Sequence, residues 1–275
     1  MHDLVSIIIP CYNSEQFLVE TLECVAQQSY HNIECIIIDD GSTDSTALLA
    51  QKWVLSNPKF HYYYQQNQGL SKARNFGISK SVGRFLLPLD SDDKIGINYV
   101  SLCVAVLIKD PLVKVVYSNA VYFGAVNKKW KLPKYTFRRL LKGNLIYCSA
   151  IFRRVDFDKT GGYNSNMKYG WEDWDFWISM LSTGGNVVKL KEELFLYRQH
   201  NKSMLAVLRG EKAQEMVNQI YENHKNVFIH YCINPILFWR LKGLPNWVGK
   251  PLSIFFYCLS VVRYNLSFLQ DNLFK

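Results

Sequence analysis

The sequence predicts an α/β fold built on a parallel sheet, and two observations carry that expectation. Over the first hundred residues, apolar β-branched runs alternate with segments whose apolar residues recur at helical spacing, the pattern of successive βαβ units. Acidic residues follow two of those runs directly, at 39–40 and 90–93, where open α/β sheets present a ligand-binding rim. At 275 residues, 49% of them hydrophobic and 15% aromatic, the chain can fill one large domain or a domain with an appendage.

Each element follows in order. LVSIIIP (4–10) reads as a buried strand, and Leu18, Leu22 and Val25 form one face of a helix that Asn13 or Ser14 would cap. IECIIIDD (33–40) is the second strand, and DDGSTD turns into a helix with Ser42 or Asp44 as its cap. FHYYYQQ (60–66) is a third strand, residues 70–80 a helix, and RFLLPLD (84–90) a fourth strand. Beyond Asp110 the rhythm loosens: VKVVYSN (113–119) is strand-like, the basic stretch after it reads as hairpin and loop, and YCSAIFRR (147–154) precedes a Gly161-Gly162 turn. Residues 171–181 form a helix, and NVVKL (186–190) and LFLYR (194–198) read as two short strands. Past Ser203 the chain is mainly helical.

That tail contains PILFWRLKGLPNW (235–247) and PLSIFFYCLSVVRYNLSFL (251–269). Its unbroken apolar run is about a dozen residues, short of the roughly 20 that span a bilayer. Two readings stay open: helices packed on the domain, or an interfacial anchor that uses basic residues beside aromatics.

The net charge of +9 favours contact with phosphate-bearing or otherwise anionic partners. It is concentrated, since residues 127–159 carry ten Lys/Arg against two Asp. Seven cysteines without a CxxC pair or regular spacing fit a reducing cytosol better than a disulfide framework. Strand-like sequence begins at Leu4, so no signal peptide is expected.

Four short motifs then ask for one explanation. IIIPCYNSE places Tyr12 and Asn13 at a strand end without a glycine cradle of the GxGxxG or P-loop kind, which disfavours phosphate binding through such loops. Tyr12 is either the polar end of the strand or a platform for a flat base. In IIIDDGSTD, Asp39 or Asp40 could accept a hydrogen bond from a base imide or a ribose hydroxyl. In NQGLSKARN (67–75), Gly69 permits a tight turn, while Ser71 and Arg74 share a helix face; Arg74 is either a solvated helix arginine or a ligand for phosphate, sugar or carboxylate. In FLLPLDSDD (85–93), three carboxylates crowd into four positions. Asp93 could cap a following helix, or a hard cation could belong there, because Mg²⁺ and Mn²⁺ take oxygen ligands and complete their shell with substrate phosphates. Lys94 and Ile95 exclude an EF-hand, and Lys94 departs from the phosphatase pattern that wants Thr or Val after D-x-D-x.

VSIIIPCYN, DDGSTD, NQGLSKARN, LPLDSDD, GWEDWDFW and YRQHNKS, in that order over roughly residues 4–204, resemble the family 2 glycosyltransferases of the GT-A fold. The resemblance implies an α/β, Rossmann-like mixed sheet flanked by helices, with a GT-A domain over 1–204. Residues 1–110 would bind the nucleotide sugar and 111–204 the acceptor, ahead of a helical extension over 205–275. It implies a donor pocket of Pro10, Tyr12, Asn13, Asp39, Asp40, Asn67, Gly69, Ser71, Arg74, Asp90 and Ser91. Asp92, Asp90 and His200 would hold a divalent cation, Mn²⁺ or Mg²⁺. Asp173, beside Glu172, would be the catalytic base, and Trp171 and Trp174 would stack on the acceptor sugar.

The implied reaction is inverting transfer from a nucleotide-diphosphate sugar, UDP-linked first of all, to a glycan or lipid-linked acceptor in cell-surface polysaccharide synthesis. A carboxylate at a helix N-terminus would be kept ionised by the helix dipole. The implied setting is cytoplasmic, with peripheral membrane contact through the C-terminal helices and no nucleic-acid partner. Two other classes share the motifs' chemistry: a metal-dependent nucleotide-diphosphate phosphohydrolase and a non-catalytic nucleotide-sugar-binding subunit. The chain departs from the family at Ile95-Gly96-Ile97, where many relatives carry proline, and residues 119–150 match only the family's general style.

Overall fold

A computed structural model describes residues 3–200, 209–231 and 233–234. Strand β1 (Val5–Cys11) is buried along its whole length, and its β-branched residues suit a strand covered on both faces. It pairs in parallel with β2 (Ile33–Asp40) on one side and β4 (Phe85–Pro88) on the other, and β3 (Phe60–Gln65) extends the sheet beyond β2. The crossover helices are α1 (Leu18–Ala26), α2 (Thr46–Ser56) and α3 (Leu70–Ser79). Leu18, Leu22 and Val25 are the buried face of α1, as the spacing requires. Gly77 lets α3 lie close on β1 and β2: a Cβ there would come within 2.5 Å of Ile8 Cγ2 and 3.0 Å of Ile38 Cγ1.

The second half turns the sheet mixed. After β5 (Lys94–Ile95) and α4 (Tyr99–Lys109) come β6 (Val113–Gly124), β7 (Lys128–Trp130), α5 (Phe137–Leu140), β8 (Ile151–Arg153), α6 (Arg154–Phe157), α7 (Glu172–Leu181) and β9 (Asn186–Gln199). The strand order is β3-β2-β1-β4-β8-β6-β9-β5, with β7 hairpinned on β6. Helices α8 (Gly210–Asn223) and α9 (Lys225–His230) follow.

Three local expectations need correction. The two short strands expected at 186–190 and 194–198 are one strand, β9, whose register against β6 shifts between Tyr117 and Ala120 and absorbs the polar residues between the apolar runs. Neither Asn13 nor Ser14 caps α1. The Ser14 carbonyl accepts from the N–H groups of Phe17 and Leu18, while its own N–H donates to Thr46 Oγ1 at 2.7 Å, so tertiary partners take the groups that a local cap would use. At α2, Asp44 accepts from the N–H of Thr46 at 2.9 Å, whereas the Ser42 hydroxyl accepts from the N–H of Asn13.

Helix α7 is tied to the C-terminal segment through Asp175, which is fully buried. It accepts from Asn223 Nδ2 at 2.7 Å, lies 2.9 Å from His224 Nε2, and meets the amide of Asn164. The five cysteines among the described residues are free thiols, and all but Cys24 are buried. Among these residues no helix is long and apolar enough to cross a membrane. The apolar tail segments at 235–247 and 251–269, and with them the anchor reading, lie outside the described residues.

Candidate active site

The C-terminal ends of β1, β2 and β4 and the N-terminal ends of α3 and α7 converge, as the strand-end carboxylates predict. Tyr12 closes β1 with its ring 53% exposed, so it is free to stack on a flat group. Asn13 beside it has φ +50°, and its Oδ1 accepts from the N–H of Thr43 at 2.8 Å. Pro10 is buried within β1 and paired with Ile38. The sequence reading places Pro10 and Asn13 in the donor pocket; in the fold Pro10 sits within the strand and Asn13 clasps the loop after β2.

Asp39 and Asp40 are both buried, because the turns after β2 and β3 present backbone N–H groups that need acceptors. Asp40 accepts from Gln65 Nε2, Gln68 N and Gly69 N, and so fixes the turn that opens α3. Gly69 holds φ +89°, which only glycine adopts readily. Asp39 accepts from Ser42 N and the Tyr62 hydroxyl, two donors for about four lone-pair sites, which leaves acceptor capacity. Asn67 is exposed beside that turn, and Ser71 is buried in the first turn of α3.

Arg74 is not a solvated helix arginine. It is 1% exposed, with Nη2 2.6 Å from Asp90 Oδ1 and Nη1 2.5 Å from Glu172 Oε1. Glu172 is thereby buried in an ion pair, which takes it out of the role of proton acceptor that its neighbourhood with Asp173 suggested. The Cys148 thiol also donates toward Asp90, at 3.3 Å.

The three carboxylates of the DSDD segment have three fates. Asp90 faces Arg74. Asp92 is partly exposed and meets His200 Nε2 at 2.7 Å, and burial together with the charge of Asp90 raises its pKa. Asp93 turns inward: one oxygen accepts from Arg198 N at 2.8 Å and the other is buried without a partner. It caps no helix, since α4 begins only at Tyr99. Ser91 also points inward, its hydroxyl 2.7 Å from that of Ser14, so it braces the β1 loop.

Strand β5 clips this segment onto the end of β9, pairing Lys94 with Leu196, and so delivers His200 to Asp92. Three residues that the sequence reading passed over hold the join. Arg198 donates to the Asp92 carbonyl at 2.7 Å and pairs with Glu20, while Thr21 Oγ1 donates to the carbonyls of Ser91 and Asp93. Arg198 was readable in YRQHNKS; Glu20 and Thr21, on an ordinary amphipathic helix, carried no signal.

Asp173 occupies the first turn of α7, behind Trp171, whose φ of +61° makes the sharp entry into the helix. Its Oδ1 accepts from Trp174 N and its Oδ2 from Asn144 Nδ2, both at 2.8 Å. Burial first, then the charge of Glu172, push its carboxyl up to about 7, while Arg74 and the Asn144 amide pull it down. Burial thus carries this carboxyl toward neutrality against the pull of the helix end that the sequence reading expects to keep it ionised. Trp174 is 3% exposed and donates from its indole to the Leu140 carbonyl at 2.7 Å, which removes it as a sugar platform. Trp171 is only partly buried, edge-on to Trp174.

A divalent cation is implied by this chemistry, and the donor set is compatible with one. Asp92 offers a carboxylate beside an imidazole, and its proximity to Asp90 is the repulsion that a cation would relieve. Among the described residues no group of three His, Cys, Asp or Glu comes together that could hold an ion, and Asp92 with His200 forms a pair.

A mixed α/β sheet with a carboxylate rim, an acidic pair at a helix start and an aspartate–histidine half-site define a GT-A-type glycosyltransferase scaffold. Residues 6–170 match the description "Glycosyl transferase family 2", and the chain belongs to that family. It is 28% identical over 209 residues to the putative teichuronic acid biosynthesis glycosyltransferase TuaG of Bacillus subtilis, covering 73% of this chain and 81% of that one. It is 30% identical over 190 residues to an uncharacterized glycosyltransferase of Rickettsia typhi, covering 65% and 58%. The match to glycosyltransferase GlyG of Streptococcus pneumoniae, 36% identical over 101 residues, spans 36% of this chain and 34% of GlyG. The chain thus spans well under two thirds of several curated relatives. Among solved structures, S. aureus TarS in complex with UDP-GlcNAc superposes with a TM-score of 0.68 at 20% identity, over 81% of this chain and 66% of that one. The mannosyltransferase PcManGT from Pyrobaculum calidifontis, in complex with GDP-Man and Mn²⁺, gives 0.66 at 16% identity, over 98% and 79%. Both likenesses establish the GT-A fold.

Proposed function

We propose that this glycosyltransferase is inverting and moves a hexosyl or N-acetylhexosaminyl group from a nucleotide-diphosphate sugar, UDP-linked in our reading, to a hydroxyl of a glycan or lipid-linked acceptor in cell-surface polysaccharide synthesis. The observation that carries it is the chain Asp92–Asp90–Arg74–Glu172–Asp173, which joins a cation half-site to a proton acceptor through one buried guanidinium. The bound ligands named for TarS and PcManGT and the teichuronic acid label of the Bacillus relative support the donor and pathway classes.

In this reading Tyr12 stacks on the base, and Asp39 accepts from it. Asn67, Gly69 and Ser71 line the sugar-diphosphate path, and Trp171 is the acceptor platform. Asp92 and His200, with Asp90 near them, would hold a divalent cation, which when bound supplies Lewis-acid stabilisation of the leaving diphosphate. The acceptor O–H gives its proton to the Asp173 carboxylate as the acceptor oxygen bonds to the anomeric carbon. The bond from that carbon to the diphosphate oxygen breaks in the same displacement, and its electron pair leaves with the nucleoside diphosphate. Asn144 and the N–H of Trp174 hold the Asp173 oxygens in place for that transfer. A pKa near neutrality suits a general base, which must be ionised at the operating pH yet basic enough to take the proton.

Thermal stabilisation by UDP-, GDP- and dTDP-sugars, with and without Mn²⁺, tests the reading. The melting temperature should rise with one nucleotide class and only with the metal present. Stabilisation by none of them, or hydrolysis of the donor that no acceptor diverts, would sink it.

A further inference from the structure

The basic stretch has a structure as well as a composition. Residues 111–155 contain no Asp or Glu, so this segment supplies no acid of its own to balance its cations. Lys129 finds Glu193 at 2.6 Å. Lys128, Lys131, Lys134 and Arg139 are exposed, and the ion pairs found among the described residues leave their charges uncompensated. They do not trail into solvent on a loose loop. Strand β7 pins Lys128 to Tyr122 by pairing and by a cation–π contact of 5.5 Å; Thr136 caps α5 at Arg139 N; and Arg139 Nη1 donates to the Lys134 carbonyl at 3.1 Å.

This arm runs straight into the reacting centre. The carbonyls of Leu140 and Ile146 accept from the indoles of Trp174 and Trp177, which lays 140–146 along α7. Between them Asn144 reaches the Asp173 carboxylate at 2.8 Å. The cations and the side chain that holds Asp173 thus stand on one continuous segment, 128–144. An ordinary solvated charge face has no such connection.

We propose that Lys128, Lys131, Lys134 and Arg139 form an anion-binding rim that seats a phosphate- or carboxylate-bearing glycan and presents its hydroxyl to Asp173, making the acceptor a polyanionic saccharide. The proposal rests on the transferase reading above and names its acceptor class. Charge complementarity favours a glycan over a lipid surface, because the segment that carries the cations continues through 140–146, which packs on α7 and reaches Asp173 through Asn144.

The test titrates the full chain with a fluorescently labelled oligogalacturonide, with an uncharged dextran oligosaccharide of equal length and with phosphatidylglycerol vesicles. The oligogalacturonide should bind and the dextran should not. The variant K128Q/K131Q/K134Q/R139Q should lose about tenfold or more in affinity, the sum of several exposed ion pairs. Wild-type binding should weaken as salt shortens the screening length, and variant binding should barely respond. K131E, a single exposed reversal, keeps the test open if the quadruple variant misfolds, and should also weaken binding. Equal affinity for dextran, unchanged affinity in both variants, or binding to vesicles alone would overturn the proposal. Donor-dependent thermal stabilisation, measured in parallel, separates the two readings. Its loss with polyanion binding intact strikes the donor assignment and supports the surface, whereas its presence without polyanion binding strikes the surface alone.

Discussion

Arg74 Nη1 lies 2.5 Å from Glu172 Oε1, an ion pair that joins α3 to the first turn of α7, and both partners are buried. The other guanidinium nitrogen reaches Asp90. Arg74→Ala should therefore leave a buried carboxylate without its cation and cost about 3–5 kcal/mol. Arg74→Lys should fall between, since an ammonium lacks the planar fork that reaches both acids. Urea unfolding of the two variants is the check, and a loss under about 1 kcal/mol for alanine would mean that Glu172 finds another partner.

The pKa of Asp173 sets a pH dependence. Its carboxyl stands at about 7, so kcat/KM should rise as the pH increases through that value and the base ionises. Asp173→Asn should cut turnover by about 10²–10⁴-fold while donor affinity stays unchanged. The same shift has a stability consequence of opposite sense. A folded value above the ordinary 3.8 stabilises the fold fully below 3.8, and that contribution is lost as the pH rises through about 7. Relative to wild type, Asp173→Asn should thus gain in melting temperature at alkaline pH.

His200→Ala tests the half-site. With the imidazole gone from beside Asp92, the Mn²⁺ concentration needed for donor binding should rise by about tenfold or more. Calorimetric titration of metal in the presence of donor reads the change, and an unaltered midpoint would remove His200 from the site.

His224→Ala should destabilise the chain by about 1–3 kcal/mol, because Asp175 is fully buried and would lose one of its partners. A double-mutant cycle with Asn223→Ala should show coupling, since both side chains meet the same Asp175 oxygen. Additive losses would mean that the two contacts act independently.

Much of the fold was legible because its signals are local. Strand β2 coincides with the predicted 33–40, α3 begins at the predicted residue, and the glycine expected to make the turn does so with a positive φ. The site was legible only as far as strand ends allow. Asp92 meets His200 and Asp173 lies in the first turn of α7, whereas Ser91, Glu172 and Trp174 turn inward. Their partners lie far along the chain: Ser14 is 77 residues from Ser91, and Arg74 is 98 from Glu172. No periodicity encodes such distances. Trp174 illustrates the difficulty, since an indole beside an acidic pair reads equally as sugar platform or core, and only its bond to Leu140 decides.

Strand β9 is a ruler. It leaves the end of α7 after residues 182–185 only, and its last residue hands the chain to His200, so the span between Asp173 and His200 is set by one strand and its register irregularities against β6. Adding or deleting one residue in it would flip every downstream side chain to the opposite face and carry the imidazole away from its aspartate. Drift in this stretch must therefore proceed by exchange of side chains at constant length, while the exposed turn at 125–127 is free to grow or shrink.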